Sequence, residues 1–254
     1  MKQTAIKAAK EAGKILLKLY QKNISIKNKK NTYNLVTEAD LKSERVIVSI
    51  IKKKFPSHSF LTEEETVEKT SSEYLWVIDP LDGTNNYSHG FPFFCVSIGL
   101  YKNNKPLLGV VYDPLRKELF YAEKGKGAFL NNKKIKVSKS KKITDCIFVT
   151  GFYYERGSLM KRTLKNMEDF FRKNVRGIRR TGSAALDLCY VASGRLEGYW
   201  ELKISPWDFA AGALIVEEAG GKVTDVNGAK YNLSMISVLA SNKKIHNSML
   251  KTIK

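Results

Sequence analysis

Trp76-Val77-Ile78-Asp79-Pro80-Leu81-Asp82-Gly83-Thr84-Asn85-Asn86-Tyr87 passes within a few residues from a β-favouring run to a stiff acidic turn. Tyr74 to Ile78 read as a short strand that stops at Asp79-Pro80. Pro80 fixes its own φ and stiffens the link between two carboxylates three residues apart. Gly83 lets the backbone approach a ligand closely, and Thr84 brings a hydroxyl to the same place. Paired carboxylates on a rigid turn suit a hard divalent cation, which takes oxygen ligands. Taken alone, Asp79 to Thr84 suit as well a turn in which both aspartates cap nearby amides.

Upstream, apolar residues at 5, 9, 12, 16 and 20 recur at helical spacing and predict an amphipathic first helix. A second helix is expected after Thr37-Glu38-Ala39-Asp40, with Thr37 as cap and Asp40 in the first turn. Its buried face is Val46, Ile47, Ile50 and Ile51. Downstream, strand-like runs at 93–101, 107–112 and 119–122 are separated by Asn103-Asn104, Asp113-Pro114 and Asn131-Asn132, the pattern of an antiparallel meander. Beyond about residue 141 strands alternate with helices. Strands are expected at 147–150, 199–201 and 235–240, with helices at 158–172, 183–191, 207–219 and the C-terminus. This divides the chain into an α+β half, residues 1–141, and an α/β half, residues 142–254.

Two further acidic features accompany the turn. Glu63-Glu64-Glu65 follow Phe60 and Leu61, which places a carboxylate near a strand end; a solvated acidic run reads the same way. Asp208, in Trp207-Asp208-Phe209-Ala210-Ala211-Gly212, stands at the start of an apolar helix, where an N-cap is the ordinary role. His58, His89 and His246 are far apart and no cysteine pair has ligand spacing, so a soft-metal site is disfavoured and any metal should resemble magnesium.

Composition narrows the class. With 43% hydrophobic and 27% charged residues the chain is an ordinary globular one. The apolar stretch at 91–101 is broken by Pro92, Ser97 and Gly99 and is too short to span a bilayer. Cys95, Cys146 and Cys189 read as small core residues in a reducing, cytoplasmic compartment. The net charge of +19 comes mostly from lysines in short scattered clusters with few aromatics between them, which favours solvated surface over a polyanion-binding face.

The stretch from Trp76 to Tyr87 resembles the first signature of the inositol monophosphatase family, and Trp207 to Gly212, continuing to Glu217-Glu218-Ala219-Gly220-Gly221, resembles the second. Arg179-Arg180-Thr181-Gly182-Ser183-Ala184-Ala185-Leu186-Asp187-Leu188 is similar to a segment of bacterial-type members. Leu35 to Asp40 and Glu63-Glu64 match in order and spacing. Thr62, where many members have glycine, and Leu81, in place of a frequent isoleucine, are the departures.

The resemblance implies a layered αβαβα sandwich of the inositol monophosphatase and fructose-1,6-bisphosphatase type, commonly homodimeric. It implies a magnesium-dependent, lithium-sensitive phosphomonoesterase acting on inositol monophosphate or a similar small sugar or polyol phosphate. Two or three magnesium ions would be held by Glu63, Asp79, Asp82, Asp208 and the Leu81 carbonyl, with Asp79 bridging two ions. Glu63 would hold the attacking water, and a hydrogen-bonded Asp40–Thr84 pair would help to orient and deprotonate water. The amides of Gly83 and Thr84 would face the phosphate, while Gly182, Ser183, Ala184 and Glu201 would contact substrate hydroxyls. Divalent ions neutralise phosphoryl charge and lower the pKa of bound water, and four clustered carboxylates need such compensation. Glu201, an acceptor when ionised, favours a monophosphorylated polyol over a bisphosphate; its ordinary alternative is a surface ion pair with Lys203. Fructose-1,6-bisphosphatase, histidinol-phosphatase and nucleotide 3′-phosphatase activities are the alternatives on this fold. A transcription-associated binding role, through Arg179 and Arg180, is the alternative of another class.

Overall fold

The computed structural model describes residues 1–20, 26–28, 35–65, 67–68 and 72–253. Helix α1 (Lys2–Leu19) buries Ala5, Ala9, Ala12 and Leu16 of the expected stripe, and Ala8 as well, while Tyr20 stands just past its end as the C-cap. Strands β1 (Ile26–Asn28) and β2 (Leu35–Thr37) form a small antiparallel pair ahead of helix α2 (Glu38–Lys54). The capping role expected of the Thr37 side chain lies outside the described residues. The buried face of α2 includes Ile47 and Ile51 as expected, and also the polar Asp40, Ser43 and Glu44.

Strands β3 (Ser59–Thr62), β4 (Val67–Glu68) and β5 (Tyr74–Asp82) are followed by the short helix α3 (Thr84–Ser88). The meander then runs through β6 (Cys95–Lys102), β7 (Lys105–Asp113), β8 (Glu118–Glu123), β9 (Gly127–Leu130) and β10 (Lys133–Ile135). These eight strands make one sheet, ordered β10-β9-β8-β7-β6-β5-β3-β4, antiparallel except for the β3–β5 pair. Asn103-Asn104 and Asn131-Asn132 all have positive φ, as the two-residue hairpin turns there require.

The remaining elements are β11 (Ile147–Thr150), α4 (Ser158–Arg172), β12 (Gly177–Arg179), α5 (Ala184–Ala192), β13 (Gly198–Glu201), α6 (Pro206–Glu218), β14 (Lys222–Thr224), β15 (Val238–Ser241) and α7 (His246–Leu250). Their strands form a second, mixed sheet ordered β12-β11-β13-β15-β14. Helices α1 and α2 cover one face of the large sheet. Helices α5 and α6 fill the space between the two sheets, and α7 packs on β15 beside Phe170 of α4. The result is the expected αβαβα layering, with α6, apolar and buried from Phe209 to Val216, at its centre. Gly109 on β7 allows this contact, because a Cβ there would stand 2.5 Å from the Ala211 carbonyl oxygen.

One expectation changes in a way that matters. The strand expected to stop at Asp79-Pro80 continues to Asp82. Across from β6 the register runs Asp79↔Ser97 and then Asp82↔Cys95, three residues on β5 against two on β6. Pro80, lacking an N–H, sits inside this bulge, where no ladder bond is asked of it. Residues three apart on a regular strand point to opposite faces. The extra residue restores the parity, so Asp79 and Asp82 share the face that looks toward α5 and α6.

Candidate active site

The two aspartates form the floor of a cavity of about 600 Å³ where the end of β5 meets the N-termini of α5 and α6. Asp208, in the first turn of α6, completes a group whose ligand oxygens on Asp79, Asp82 and Asp208 lie within 4.8 Å of one another. Asp208 is not the N-cap. Ser205 is, and its N–H donates to Asp208 Oδ2 at 2.9 Å, which orients the carboxylate toward the cavity. Glu63 and Leu81 line the same cavity.

Asp82 is held from across the molecule. Its Oδ2 accepts from Ser183 Oγ at 2.6 Å and Ala185 N at 2.7 Å, with Cys95 Sγ at 3.8 Å, while Oδ1 accepts from Ala184 N at 3.3 Å. A carboxylate of the first sheet thus satisfies orphan amides at the start of α5. The hydroxyl of Ser183 and the amide of Ala184, expected to meet substrate hydroxyls, are directed at Asp82 instead, although both residues line the cavity. Burial pushes Asp82 up to about 6 against these stabilising donors. Asp79 lies well above the ordinary carboxylate range because of burial, then of the neighbouring charges of Glu63, Asp82 and Asp208. Asp208 is raised for the same reasons. An all-oxygen, mutually repelling donor set, with Asp79 and Asp82 buried and Asp208 half-buried, fits a hard divalent cation. No soft ligand competes: burial raises the Cys95 thiol, His58 accepts from Trp76 Nε1, and His246 lies between Thr224 and Ser241.

Gly83 takes φ 97° at the start of α3, and a Cβ there would stand 2.9 Å from the Phe93 carbonyl oxygen. Thr84 Oγ1 donates to the Leu81 carbonyl at 3.0 Å, so its single proton is not directed at Asp40. Asp40 is fully buried behind the cavity and contributes to raising Asp79. Two residues of α2 that the sequence did not point to brace the floor. Ser43 Oγ donates to the Pro80 carbonyl at 2.8 Å, and the Glu44 carboxylate accepts from Glu64 N and Glu65 N, both at 3.0 Å. Adjacent side chains therefore hold both carboxylate-bearing loops.

On the opposite wall Glu201, at the end of β13, accepts from Tyr199 Oη at 2.6 Å. Burial pushes it up to about 7, opposed by that hydrogen bond and by Arg180. The surface alternative does not form, since Lys203 pairs with Glu155. Gly151 is what admits Glu201, because a Cβ at 151 would overlap its carboxylate. Gly182 lines the cavity with φ 93°. Sequence reading missed Tyr153, Tyr154 and Asp187 in this wall. Asp187 stood in the quoted segment 179–188, one helical turn after Ser183, and Gly151 and Gly157 bracket the tyrosines, but neither cue carries a chemistry by itself.

All 254 residues match the model of the inositol monophosphatase family. The chain belongs to that family. Within it, the protein is 41% identical over 256 residues to a Haemophilus influenzae protein named Nus factor SuhB, an alignment covering 100% of this chain and 96% of the relative. It is 42% identical over 254 residues to a Synechocystis inositol-1-monophosphatase, covering 99% and 88%. Among solved structures, the extragenic suppressor protein suhB of Bartonella henselae superposes with a TM-score of 0.94 at 38% identity, covering 99% and 97%. Family membership supports a phosphatase.

Proposed function

We propose that the protein is a magnesium-dependent phosphomonoesterase hydrolysing inositol monophosphate or a similar small sugar or polyol phosphate by attack of water. The observation that carries this reading is the Asp79–Asp82–Asp208 group, its first two members buried and the third half-buried, on the floor of a cavity with a polar opposite wall. Glu63, Asp79, Asp82, Asp208 and the Leu81 carbonyl would hold two or three magnesium ions. When bound, the ions supply charge neutralisation and a lowered pKa for water. Glu63 orients the attacking water. Thr84 presents hydroxyl lone pairs beside it, and Asp40 acts from behind the wall. The Gly83 and Thr84 amides position phosphoryl oxygens where no side chain intrudes, and Glu201 with the Gly182–Ala184 segment orders the alcohol part of the substrate. Relatives named inositol monophosphatase support this substrate class. The same reading carries inhibition by lithium, a cytoplasmic location and a homodimer.

The test is phosphate release from inositol 1-phosphate, fructose 1,6-bisphosphate, histidinol phosphate and a nucleotide 3′-phosphate, with and without magnesium. Magnesium-dependent release, fastest on the polyol phosphate, is the expected result; no release from any of them overturns the reading. Relatives named Nus factor favour a second reading, a transcription-associated binding role through exposed residues such as Arg179. Co-purification of RNA polymerase with tagged protein tests it.

A further inference from the structure

Two glycines that line the cavity, Gly83 and Gly182, take the left-handed conformation, with φ of 97° and 93°. Gly83 lies between β5 of the large sheet and α3, and Gly182 between β12 of the small sheet and α5. A single side chain joins the backbone beside them. Asn86, on α3, donates from Nδ2 to the Phe93 carbonyl at 2.7 Å and to the Thr181 carbonyl at 2.8 Å. The first carbonyl is the one a Cβ on Gly83 would strike, and the second immediately precedes Gly182. A carboxamide nitrogen carries two protons, and two carbonyl acceptors use both. A Cβ on Gly182 would stand 3.0 Å from Nδ2 and from Oδ1 of Asn86, so amide and glycine are packed against each other. Both ends of the bridge are anchored in turn. The Asn86 carbonyl accepts from Phe91 N at 2.8 Å, and Thr181 Oγ1 donates to the buried Asp187 in the first turn of α5.

We propose that Asn86 is a positioning residue for the alcohol part of the substrate, its amide setting the gap between the Gly83–Thr84 turn and the Gly182–Ala184 segment. The proposal rests on the phosphatase reading and deepens it. A rigid ester held by its phosphate at the turn meets Gly182 with its hydroxyls only while the two stand at one separation. A misplacement of about an ångström between such contacts can cost on the order of a hundredfold in rate. The bridge spans 95 residues of chain, so no local turn keeps that separation in its absence. The far end of the segment is tied independently, since Ser183 and Ala184 donate to Asp82. Loss of the Asn86 amide therefore frees Gly182 and leaves the bonds of the carboxylate floor in place. Asn86 acts through the backbone of Thr181 and Gly182 and needs no contact with the substrate.

The experiment compares inositol 1-phosphate with 4-nitrophenyl phosphate, at saturating magnesium, for the wild type, Asn86→Ala and Asn86→Leu. Leucine keeps the volume of the side chain and removes both donors, which separates the bridge from a packing void. Both variants should raise KM for inositol 1-phosphate about tenfold. The flat aryl ester, which has no hydroxyls to place, should change less than about twofold, as should the magnesium concentration for half-activity. In a Glu201→Gln background the change at Asn86 should cost less than about threefold on inositol 1-phosphate, because both residues act on the same alcohol. Equal losses on the two esters, or a shifted magnesium requirement, would assign Asn86 to the floor and overturn the proposal, and so would failure of both variants to fold. Those results leave the phosphatase reading standing. A wild type that hydrolyses only the aryl ester overturns the polyol reading and the proposal together, and one that hydrolyses neither overturns the phosphatase reading itself.

Discussion

The two ends of the cavity are built differently. The floor sits on a strand bulge and two helix N-termini, and its carboxylates are nearly all bonded to backbone amides or to one another's supports. The far wall hangs on residues 151–157 and on exposed cations with long or absent partners. Under the proposed function, the braced floor would serve chemistry on the phosphoryl group and the more loosely held wall would tell substrates apart. The comparison can be attacked from both ends.

The largest effect should come from the floor. Asp82→Asn keeps shape but removes an anionic ligand and puts an amide against the N–H donors of α5. It should lower kcat/KM at saturating magnesium about a hundredfold or more. A loss below about tenfold would show that Asp82 is not a ligand.

The same end should govern stability. A carboxyl that holds its proton more tightly in the folded chain makes the folded state bind more protons between the two pKa values, so stability falls as pH rises through that interval. For chelator-treated protein the interval runs from the ordinary carboxylate value to about 6 for Asp82 and to about 7 for Glu201. The Asp82 shift alone corresponds to on the order of 3 kcal/mol. Measured with chelator and relative to Asp82→Asn, which cancels the opposite contribution of the buried His246, the wild-type melting temperature should fall between about pH 4.5 and 7.5. Magnesium should restore it at the upper end by binding the folded state. A flat profile without metal would mean that the floor is not strained by its own charge.

Glu44→Gln probes how the floor is braced. The carboxylate accepts Glu64 N on Oε2 and Glu65 N on Oε1, and in glutamine one of those positions becomes an NH2 group facing an N–H donor. The variant should lose about 2 kcal/mol of stability in urea unfolding. It should also raise the magnesium concentration for half-activity about tenfold, a shift that a purely structural role would not produce.

The smallest effect should come from the wall. Glu201→Gln should reduce kcat/KM for inositol monophosphate about tenfold, the loss of one charged hydrogen bond, and leave an aryl phosphate almost unchanged. Equal losses would move Glu201 from the wall to the floor.

This division also explains what the sequence disclosed. Asp79, Asp82 and Asp208 were legible because each stands at a punctuated element end, marked by Pro80, Gly83 and the apolar run after Trp207. Helix α1 was legible from apolar spacing, α5 from the Gly182 that precedes it, and the meander from its asparagine turns. The short edge strands β12 and β14 carry too few residues for a period to show. Glu44 and Ser43 looked like surface positions of a helix, because what makes them buried is a loop packed on α2 from twenty or more residues away. The roles of Ser183 and Ala184 depended on a hydrogen bond across about one hundred residues of chain. No local pattern announces such a bond.

The bulge at Pro80 makes the catalytic floor depend on a count rather than on a composition. With the extra residue in place, Asp79 and Asp82 face the cavity together, opposite Ser97 and Cys95. A regular three-residue step, without the bulge, would turn Asp82 toward the helices on the far side of the sheet even though every ligand was still spelled out in the sequence. Side-chain exchange at positions 80 and 81 perturbs packing by degrees, but a residue added opposite the bulge, between Cys95 and Ser97 on β6, would make the step regular and act as a frameshift in space that turns Asp82 out of the cavity.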